Sequence, residues 1–566
     1  MSVRSHDQPP ANADRRRFVQ GLAVAGFVGG LGTTRAVAGP GAPSVDLTIA
    51  PSLVNITGRP RIATAVNGGL PGPTLRFREG DEAVIRVTNR LAEPTSIHWH
   101  GLRLPADQDG VPGLSFAGIM PGESFTYRFP VRQAGTYWYH GHSGMQEQTG
   151  LLGALILEPE AHNPVADREH VIILSDWTDA DPMGILSNLK QQGDYYNYGR
   201  ITLGDRLRQA KAQGAKATLA DAAQWGRMRM SPTDILDVTG ATYTYLVNGA
   251  APAANWTGLF TPGERVRLRL INGAAMTLFD LRIEGLMLSV VAADGSDVAP
   301  VEVEELRIAP GETYDLIVQP KEDRAYTLFA QAQDRSGYAR ATLAPRHGMS
   351  APIPPLDPRP RRTMTDMGMA GMADMAGMDM AAMKAMPGMK TDELTAREAE
   401  KLKKMPDVDN VAMAPASRLA EAGGGLDGDD RRALTYADLK TLAPGPNLVP
   451  TRDIRLHLTG NMERWTWGFD GVRFSRAEPI RVALGETVRF VLINDTMMEH
   501  PVHLHGFLFQ VENGQDGALP WKHTLTLKPG EQASFLVHAD TPGHWAFHCH
   551  LMLHMGLGMF RTVVVA

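Results

Sequence analysis

Apolar and polar residues alternate with a period of two in several stretches of this chain, and one such stretch occurs three times. Its copies are GDEAVIRVTN, GERVRLRLIN and GETVRFVLIN, at 80–89, 263–272 and 485–494. A Pro-Gly-Glu motif follows each copy and opens a second alternating stretch, at 121–123, 310–312 and 529–531. Alternation rich in β-branched and aromatic residues, with Gly and Pro between the runs, predicts β-strands. The pattern therefore predicts an all-β fold made of repeats.

A third strand pattern completes each repeat and fixes the number of domains. It reads TYWYHGH at 136–142, YTLFAQA at 326–332 and HWAFHCH at 544–550. Three copies of one strand set, each of single-domain size, predict three β-sandwich or Greek-key β-barrel domains. We place these domains at 39–162, 163–345 and 446–566, with a Pro- and Met-rich insert and linker at 346–445.

Histidines gather on these predicted strands. Of the 18 histidines, ten lie in four short clusters. They are His98 and His100, His140 and His142, His500, His503 and His505, and His548, His550 and His554. Residues two apart on a strand point to the same face, so each pair can direct two ring nitrogens into one cavity. A single His-x-His pair is often only a solvated strand face, but four clusters indicate a metal site.

The repeats relate these clusters to one another. In the first and third repeats a histidine follows the last Asn of the first motif by nine residues, and another follows the Pro of Pro-Gly-Glu by nineteen. This equates His98, His100, His140 and His142 with His503, His505, His548 and His550. The middle repeat has Leu281 and Phe329 at the same offsets. We therefore predict a metal cluster between the first and third domains, with the second domain as a spacer without ligands.

The only cysteine, Cys549, lies between His548 and His550, and His554 and Met559 follow within the same twelve residues. A lone cysteine is usually a small buried hydrophobe. A thiolate, imidazoles and a thioether together instead indicate a soft, redox-capable copper site. The first repeat has no such set, since its equivalent residues are Thr95, Gly141, Gln146 and Leu151. Copper at Cys549 would have a short covalent route, through the backbone, to the histidines on either side.

The first 38 residues resemble a twin-arginine export signal. Arg15-Arg16-Arg17 precedes a Gly- and Ala-rich apolar run at 21–32, and Ala36-Val37-Ala38 is an A-x-A cleavage site. That run is too short to span a bilayer, and no later segment is long enough. Because of the export signal, we expect an exported, periplasmic protein. One cysteine permits no disulfide within the chain. A formal net charge of −6 argues against nucleic acid as a partner.

Methionine is concentrated in the insert, where 364–389 holds ten Met in 26 residues. Thioethers are soft ligands that select Cu(I), so copper binding is the interpretation we favour. A low-complexity linker and the apolar face of a helix are the alternatives. The charged stretch KTDELTAREAEKLKK at 390–404 predicts a short helix.

The four histidine motifs resemble those of the multicopper oxidases, the family of laccases, ascorbate oxidase and bacterial cuprous oxidases. The export signal and the Met-rich insert resemble most the periplasmic copper-resistance oxidases. The resemblance extends over nearly all of the chain after residue 38. It implies cupredoxin-like domains and four copper ions, of which one is type 1, one is type 2 and two are type 3.

Matching positions imply a role for each ligand. The type 1 set would be His500, Cys549, His554 and Met559, and the type 2 pair would be His98 and His503. One type 3 ion would be held by His100, His140 and His550, and the other by His142, His505 and His548. Asp109 resembles an acidic residue that relatives place near the type 2 ion to supply protons, although it equally suits a turn. Met555 stands where some relatives carry an acid.

The resemblance implies an oxidase. One-electron oxidation of a substrate at the Cys549 site would be coupled, through His548 and His550, to four-electron reduction of O2 to water. We expect a monomer that serves copper resistance, with Cu(I) as the electron donor, collected by the methionine tract. The alternatives are a laccase-type oxidase of phenolic small molecules and a periplasmic copper-sequestering protein with secondary oxidase activity.

Overall fold

The computed structural model describes residues 44–161, 166–364, 366–368, 393–428 and 430–566. The predicted export signal and almost all of the methionine tract lie outside these residues. Within the described ranges, no helix is both long and apolar enough to cross a membrane. Strands predominate, and they form six sheets that occur as three successive pairs along the chain. The prediction of an all-β fold is confirmed.

Eight strands build the first pair of sheets. They are β1 (Ser44–Asn55), β2 (Pro60–Val66), β3 (Leu75–Arg78), β4 (Glu82–Asn89), β5 (His98–His100), β6 (Ser124–Pro130), β7 (Gly135–His140) and β8 (Leu152–Glu158). One sheet has the strand order β2-β1-β4-β6, and the other has the order β3-β8-β7-β5. The second sheet contains both histidine strands of the first repeat, β5 and β7.

The second pair of sheets contains eleven strands. They are β9 (Arg168–Trp177), β10 (Thr244–Val247), β11 (Trp256–Leu259), β12 (Val266–Asn272), β13 (Phe279–Ile283), β14 (Leu288–Ala293), β15 (Ser296–Val303), β16 (Glu305–Ile308), β17 (Thr313–Val318), β18 (Tyr326–Ala332) and β19 (Tyr338–Ala344). Their orders are β10-β9-β12-β17-β14-β15 and β11-β19-β18-β13-β16.

The third pair of sheets also contains eleven strands. They are β20 (Arg452–Asn461), β21 (Thr466–Phe469), β22 (Ile480–Val482), β23 (Thr487–Asn494), β24 (His500–Leu504), β25 (Phe509–Val511), β26 (Trp521–Lys522), β27 (Thr524–Leu527), β28 (Gln532–His538), β29 (Gly543–Cys549) and β30 (Phe560–Val565). Their orders are β21-β20-β23-β28-β25-β26 and β22-β30-β29-β24-β27.

The three pairs of sheets share one topology, as the sequence repeats require. The first strand of each pair, β1, β9 or β20, runs parallel to the strand of the first motif. That strand pairs antiparallel with the one that follows Pro-Gly-Glu. The Asn that ends the first motif donates from Nδ2 to two backbone carbonyls in every repeat, as Asn89, Asn272 and Asn494. These bonds hold the loop that leads to the next strand. The domain boundaries drawn from the sequence stay predictions.

Helices occur between β9 and β10, where the sequence patterns predicted none. They are α1 (Pro182–Gln191), α2 (Leu203–Gln213) and α3 (Ala215–Met228). The side chain of Asp181 caps α1, and Thr202 forms a capping box with Asp205 at the start of α2. α2 buries none of its residues, and Leu203 and Leu207, which lie one turn apart on it, are both exposed. Two further helices are α4 (Glu393–Leu402), inside the predicted 390–404 stretch, and α5 (Met552–Gly556).

The described parts of the insert pack against the third domain. The Ala416 carbonyl accepts a hydrogen bond from the Gln532 amide of the third domain at 2.9 Å. Arg418 donates to the carbonyl of Pro529 at 2.8 Å and to Asp366 at 3.0 Å. On α4, Glu398 lies 3.2 Å from Arg455 and 3.3 Å from His457 on β20. The chain on both sides of 369–392 is therefore held beside the domain that contains Cys549.

Candidate metal centre

Two strand pairs, one in the first domain and one in the third, bring the histidine clusters together. β5 pairs antiparallel with β7, and β24 with β29; His98 is the register partner of His140, as His503 is of His548. The equal offsets in the two repeats thus correspond to equal positions in two sheets. The rings of His98 and His505 stack across the boundary between the domains, with centroids 3.8 Å apart.

Ligand-type atoms form compact groups at this boundary. Groups of three whose ligand atoms all lie within 4.8 Å of one another are His98–His100–His503, His100–His140–His550, His142–His505–His548, His98–Asp109–His505 and His500–Cys549–His554. All of these side chains are buried except that of His142, which is partly exposed. Every histidine predicted from the sequence as a ligand therefore lies in one of the groups.

The ring nitrogens in these groups fit metal ions. His505 Nε2 and His548 Nε2 are 3.0 Å apart, and His550 Nε2 is 3.2 Å from His100 Nδ1. Five more buried nitrogens of these groups have no hydrogen-bond partner among the described residues, namely Nε2 of His98, His140, His142 and His503 and Nδ1 of His550. A buried polar atom without a partner is costly. A cation in each three-histidine group would satisfy lone pairs of this kind, and imidazole is a ligand that copper favours.

Burial keeps eight of these imidazoles neutral. It lowers the pKa well below the usual value, and repulsion from neighbouring imidazoles acts in the same direction, for His100, His140, His142, His500, His503, His505 and His550. The pKa of His548 is lowered by burial to about 3. A neutral ring has a lone pair to give to a metal, so the cluster is ready to bind cations without first losing protons.

Oxygen atoms hold the ring nitrogens that face away from the cluster. His503 Nδ1 donates to the His523 carbonyl at 2.6 Å, and His505 Nδ1 donates to Asp109 Oδ2 at 2.9 Å. His98 Nδ1 donates to the backbone carbonyl of Asp109 at 2.8 Å, and the other carboxylate oxygen of Asp109 lies 3.2 Å from the same nitrogen. Such bonds fix the tautomer and orientation of a ligand. Asp109, predicted as a candidate proton donor, therefore contacts one histidine from each domain.

Cys549 lies in a second, separate group with two histidines. Its Sγ is 3.5 Å from His500 Nδ1 and 3.9 Å from His554 Nδ1, and the two nitrogens are 3.2 Å apart. Burial raises the pKa of the Cys549 thiol, so a thiolate there requires a cation beside it. Trp467 stacks on His554 with centroids 3.8 Å apart. Met559 is buried, and its carbonyl accepts from the Cys549 amide at 3.1 Å.

The second domain also contributes a side chain to the Cys549 group. Asp237, which precedes β10, accepts from His554 Nε2 at 2.8 Å and from Trp465 Nε1 at 3.1 Å. These bonds leave the other ring nitrogen of His554 to face the sulfur. No motif in the sequence marks Asp237, because the contact joins residues 317 positions apart.

A buried carboxyl group, Glu147, contacts the cluster from the first domain. Its Oε2 lies 2.7 Å from His140 Nδ1, and burial raises its pKa to about 8. The repeat alignment contained a signal for it, since equating Gln146 with His554 also equates Glu147 with Met555. The first domain thus has an acid at the position that Met555 occupies in the third domain.

Comparison with known proteins gives one family for three successive segments of the chain. Models of multicopper oxidase domains match residues 48–162, 168–347 and 447–566. A copper resistance protein A homolog of Pseudomonas syringae pv. tomato is 50% identical, over 98% of this chain and 100% of that protein. Copper resistance protein A of Escherichia coli is 49% identical, over 97% of this chain and 99% of that protein.

Solved structures share the fold at lower identity. The crystal structure of Fet3p, a multicopper oxidase that functions in iron import, superposes with a TM-score of 0.65 at 19% identity, covering 92% of this chain and 90% of Fet3p. A laccase from Botrytis aclada gives a TM-score of 0.62 at 21% identity, covering 92% of this chain and 87% of the laccase. With half of its residues identical to those of full-length relatives, this chain belongs to the multicopper oxidase family and is a copper-dependent oxidoreductase.

Proposed function

We propose that this protein is an exported oxidase of copper resistance, which takes electrons from Cu(I) and reduces O2 to water with four copper ions. The observation that carries the proposal is the position of Cys549. Its sulfur faces His500 and His554, while its sequence neighbours His548 and His550 belong to two different three-histidine groups. One residue thus joins an electron-entry site to a cluster of three metal positions through covalent bonds.

The geometric groups support an assignment of ligands to each ion. We assign type 1 to His500, Cys549, His554 and Met559, and type 2 to His98 and His503. We assign the two type 3 ions to His100, His140 and His550, and to His142, His505 and His548. Each of the three-histidine groups draws ligands from both terminal domains, so the cluster requires the two domains to be docked.

The residues of the chain have distinct roles in this proposal. When bound, copper at the Cys549 site would accept single electrons and the three-ion cluster would reduce O2. Cys549 supplies the covalent path between the two sites, and Asp237 and Glu147 orient His554 and His140. Asp109 Oδ1 has no hydrogen-bond partner among the described residues, so this oxygen is placed to pass protons to the cluster.

Cu(I) as the donor is supported by the methionine tract and by the relatives. The proteins with about half of their residues in common with this chain are named copper resistance proteins. Met364 and Met367 at the start of the tract pack into the core that also contains Cys549 and Met559. The export signal at 1–38 would place the enzyme in the periplasm, by way of the twin-arginine machinery, and we propose that it acts as a monomer.

Replacement of the tract tests the substrate. All Met from 369 to 389 would be changed to Gly or Ser, while Met364 and Met367 are kept because their side chains are part of the core. We expect Cu(I) oxidation to fall at least tenfold at low Cu(I), with phenol oxidation unchanged. Undiminished Cu(I) oxidation would show that the tract does not deliver the substrate.

Counting copper separates the oxidase from a sequestering protein. The oxidase should retain four ions per chain after dialysis and show the intense blue absorption of a cysteine-bound Cu(II). Cys549→Ser should remove the colour and one ion, leaving three. Many additional ions that dialyse away, with no colour, would favour storage. Rapid phenol turnover with no Cu(I) oxidation would favour the laccase-type alternative.

A further inference from the structure

We propose that a pocket in the second domain binds a small organic anion with an apolar body, and that this is where an organic electron donor docks. The pocket has a volume of about 490 Å³, within the range of ligand sites. Its walls come from three segments, 197–205, 233–241 and 334–336, together with Arg359, Pro360 and Arg361. The electron step rests on the proposed oxidase function, whereas the binding step does not.

The Cys549 site cannot be touched directly by an organic donor. His500, His554 and Cys549 are each fully buried. In addition, His554 Nε2 is already bonded to Asp237 and His500 Nε2 to Thr496. A donor must therefore bind at some distance and pass its electron through intervening side chains.

Two short stretches of chain connect the pocket to this site, each through one hydrogen bond. Thr239 lines the pocket, and two positions earlier Asp237 accepts the hydrogen bond of His554. Asp334 also lines it, and the preceding Gln333 donates at 2.6 Å to Glu499, the residue before His500.

The layer between pocket and site is polar and has unused hydrogen-bond capacity. Asp234, between the pocket residues Thr233 and Ile235, has a buried Oδ1 without a partner among the described residues. Arg362 follows the pocket residue Arg361, and its Nε and Nη2 are also buried without a partner among the described residues. Its Nη1 lies 3.4 Å from Glu499. Charged side chains thus lie between the pocket residues and the residue that precedes His500.

The lining determines the class of ligand. Arg359 and Arg361 line the pocket and are exposed, and Arg359 is near enough to the wall residue Asp334 to act on its charge. Neither arginine forms an ion pair within the described ranges, so their guanidinium groups can bind a further carboxylate. Of the acids in the wall, Asp205 is bonded to Thr202 and Arg208, and Asp334 to Ser336.

The remaining wall residues suit an apolar ring rather than a metal ion. Tyr198, Ile201, Ile235 and Pro360 present apolar surface. None of the described residues that line the pocket is a Met, Cys or His, so Cu(I) finds no soft ligand there. The class that fits is a phenol with a carboxylate. Each molecule would lose one electron and one proton to become a phenoxyl radical, and four would supply what O2 needs to become two waters.

Benzoate, which is not oxidised, tests the binding step by calorimetry with the full chain. We expect one site per chain and at least tenfold weaker binding in Arg359→Gln/Arg361→Gln. The control Arg324→Gln/Arg346→Gln removes the same charge from exposed arginines outside the pocket and should bind benzoate normally. Benzyl alcohol should bind more weakly than benzoate. Equal binding by both double variants, or no binding by the native chain, would overturn the proposal, as would inorganic phosphate binding as tightly as benzoate.

Steady-state kinetics of the copper-loaded enzyme test the electron step. For 4-hydroxy-3-methoxybenzoate, KM should rise about tenfold in Arg359→Gln/Arg361→Gln with kcat nearly unchanged, while Cu(I) oxidation stays the same. An equal loss with the corresponding uncharged alcohol would contradict a carboxylate contact. The two proposals fail separately: native enzyme that binds benzoate but does not oxidise Cu(I) refutes only the Cu(I) donor. Native enzyme that oxidises Cu(I) but does not bind benzoate refutes only the proposal that the pocket binds an organic anion.

Discussion

Single side chains around the metal positions are arranged so that only one atom of each is left for a ligand bond. In the Cys549 group, one ring nitrogen of His500 bonds Thr496 and one of His554 bonds Asp237, and the other nitrogen faces the sulfur. The geometry of the site is thus set by oxygen acceptors, before any metal arrives. Removing an acceptor should loosen the ligand without removing it.

Asp237→Ala should weaken copper binding at the Cys549 site by about 10- to 100-fold, because His554 loses the bond that orients it. Asp237→Asn should restore most of this affinity, since an amide oxygen can still accept from His554 Nε2. The measurement is the blue absorption and copper content after dialysis against increasing chelator. The three cluster ions should be retained in both variants. Unchanged retention in Asp237→Ala would mean that packing alone orients His554.

At the scale of elements, a tight turn holds Asp109 against the strand that contains His98. Gly110 has φ of +80°, and a Cβ there would lie 1.8 Å from the carbonyl oxygen of Ile97. The turn therefore has room for glycine only. Gly113, three residues later, has φ of +76° but open space around a Cβ.

Gly110→Ala should destabilise the protein more than Gly113→Ala and should reduce copper in the cluster. Both variants suffer the strain of a positive φ, about 1–2 kcal/mol. Only the first must also move Asp109 away from His98 and His505. Thermal unfolding and copper content per chain check this. If Gly113→Ala loses as much copper as Gly110→Ala, the Asp109 turn is not what holds the cluster.

Sequence alone predicted the strand set and the histidine partners well, and it missed the contacts made between domains. Equal offsets implied equal register because side chains on a strand alternate strictly, and His98 does pair with His140 as His503 does with His548. The contact of Asp237 could not be predicted, since it depends on how domains dock. The helices α1–α3 bury too few residues to be recognised by an apolar stripe: α1 buries Ile185 and Leu189, α3 buries Thr218 and Trp225, and α2 buries none.

At the scale of the whole molecule, a buried lysine joins the second and third domains. Lys522 Nζ, on β26, lies 3.1 Å from Asp294 and 3.1 Å from Glu312, both in the second domain. All three side chains are buried. Removal of one partner leaves the others charged and without compensation.

Lys522→Met should lower the free energy of unfolding by about 3–5 kcal/mol, the cost of breaking a buried ion pair. Lys321→Met, at an exposed lysine that forms no ion pair within the described ranges, should change it by no more than about 0.5 kcal/mol. Urea denaturation followed by tryptophan fluorescence gives both values. A change of under 1 kcal/mol for Lys522→Met would show that the domains dock by apolar contacts alone.

Stability in acid should depend on a glutamate that occupies the same position in the second and third repeats. Hydrogen bonds from Arg452 and the Ala483 amide lower the pKa of Glu486 to about 2, and Arg168 and Thr261 do the same for Glu264. Each carboxylate therefore stabilises the fold above the unfolded pKa near 4.5, and this contribution is lost as pH falls toward 2.

Glu486→Gln should therefore lower the melting temperature at pH 7 and make it fall less steeply between pH 4.5 and pH 2. The exposed Glu302→Gln, changed in the same way, should leave the slope as it is in the native chain. Calorimetric melting at several pH values measures both. If the melting temperature of Glu486→Gln falls with pH as steeply as that of the native chain, this residue does not contribute to unfolding in acid.

His100 and His550 approach within 3.2 Å although 450 positions separate them, and Cys549 is followed by only one more strand, β30. A product of translation interrupted before residue 500 lacks Cys549, His550 and every other ligand that the third domain supplies, so it stays colourless. The blue colour therefore indicates that the third domain has been synthesised. A blue colony would report synthesis, folding and copper supply together.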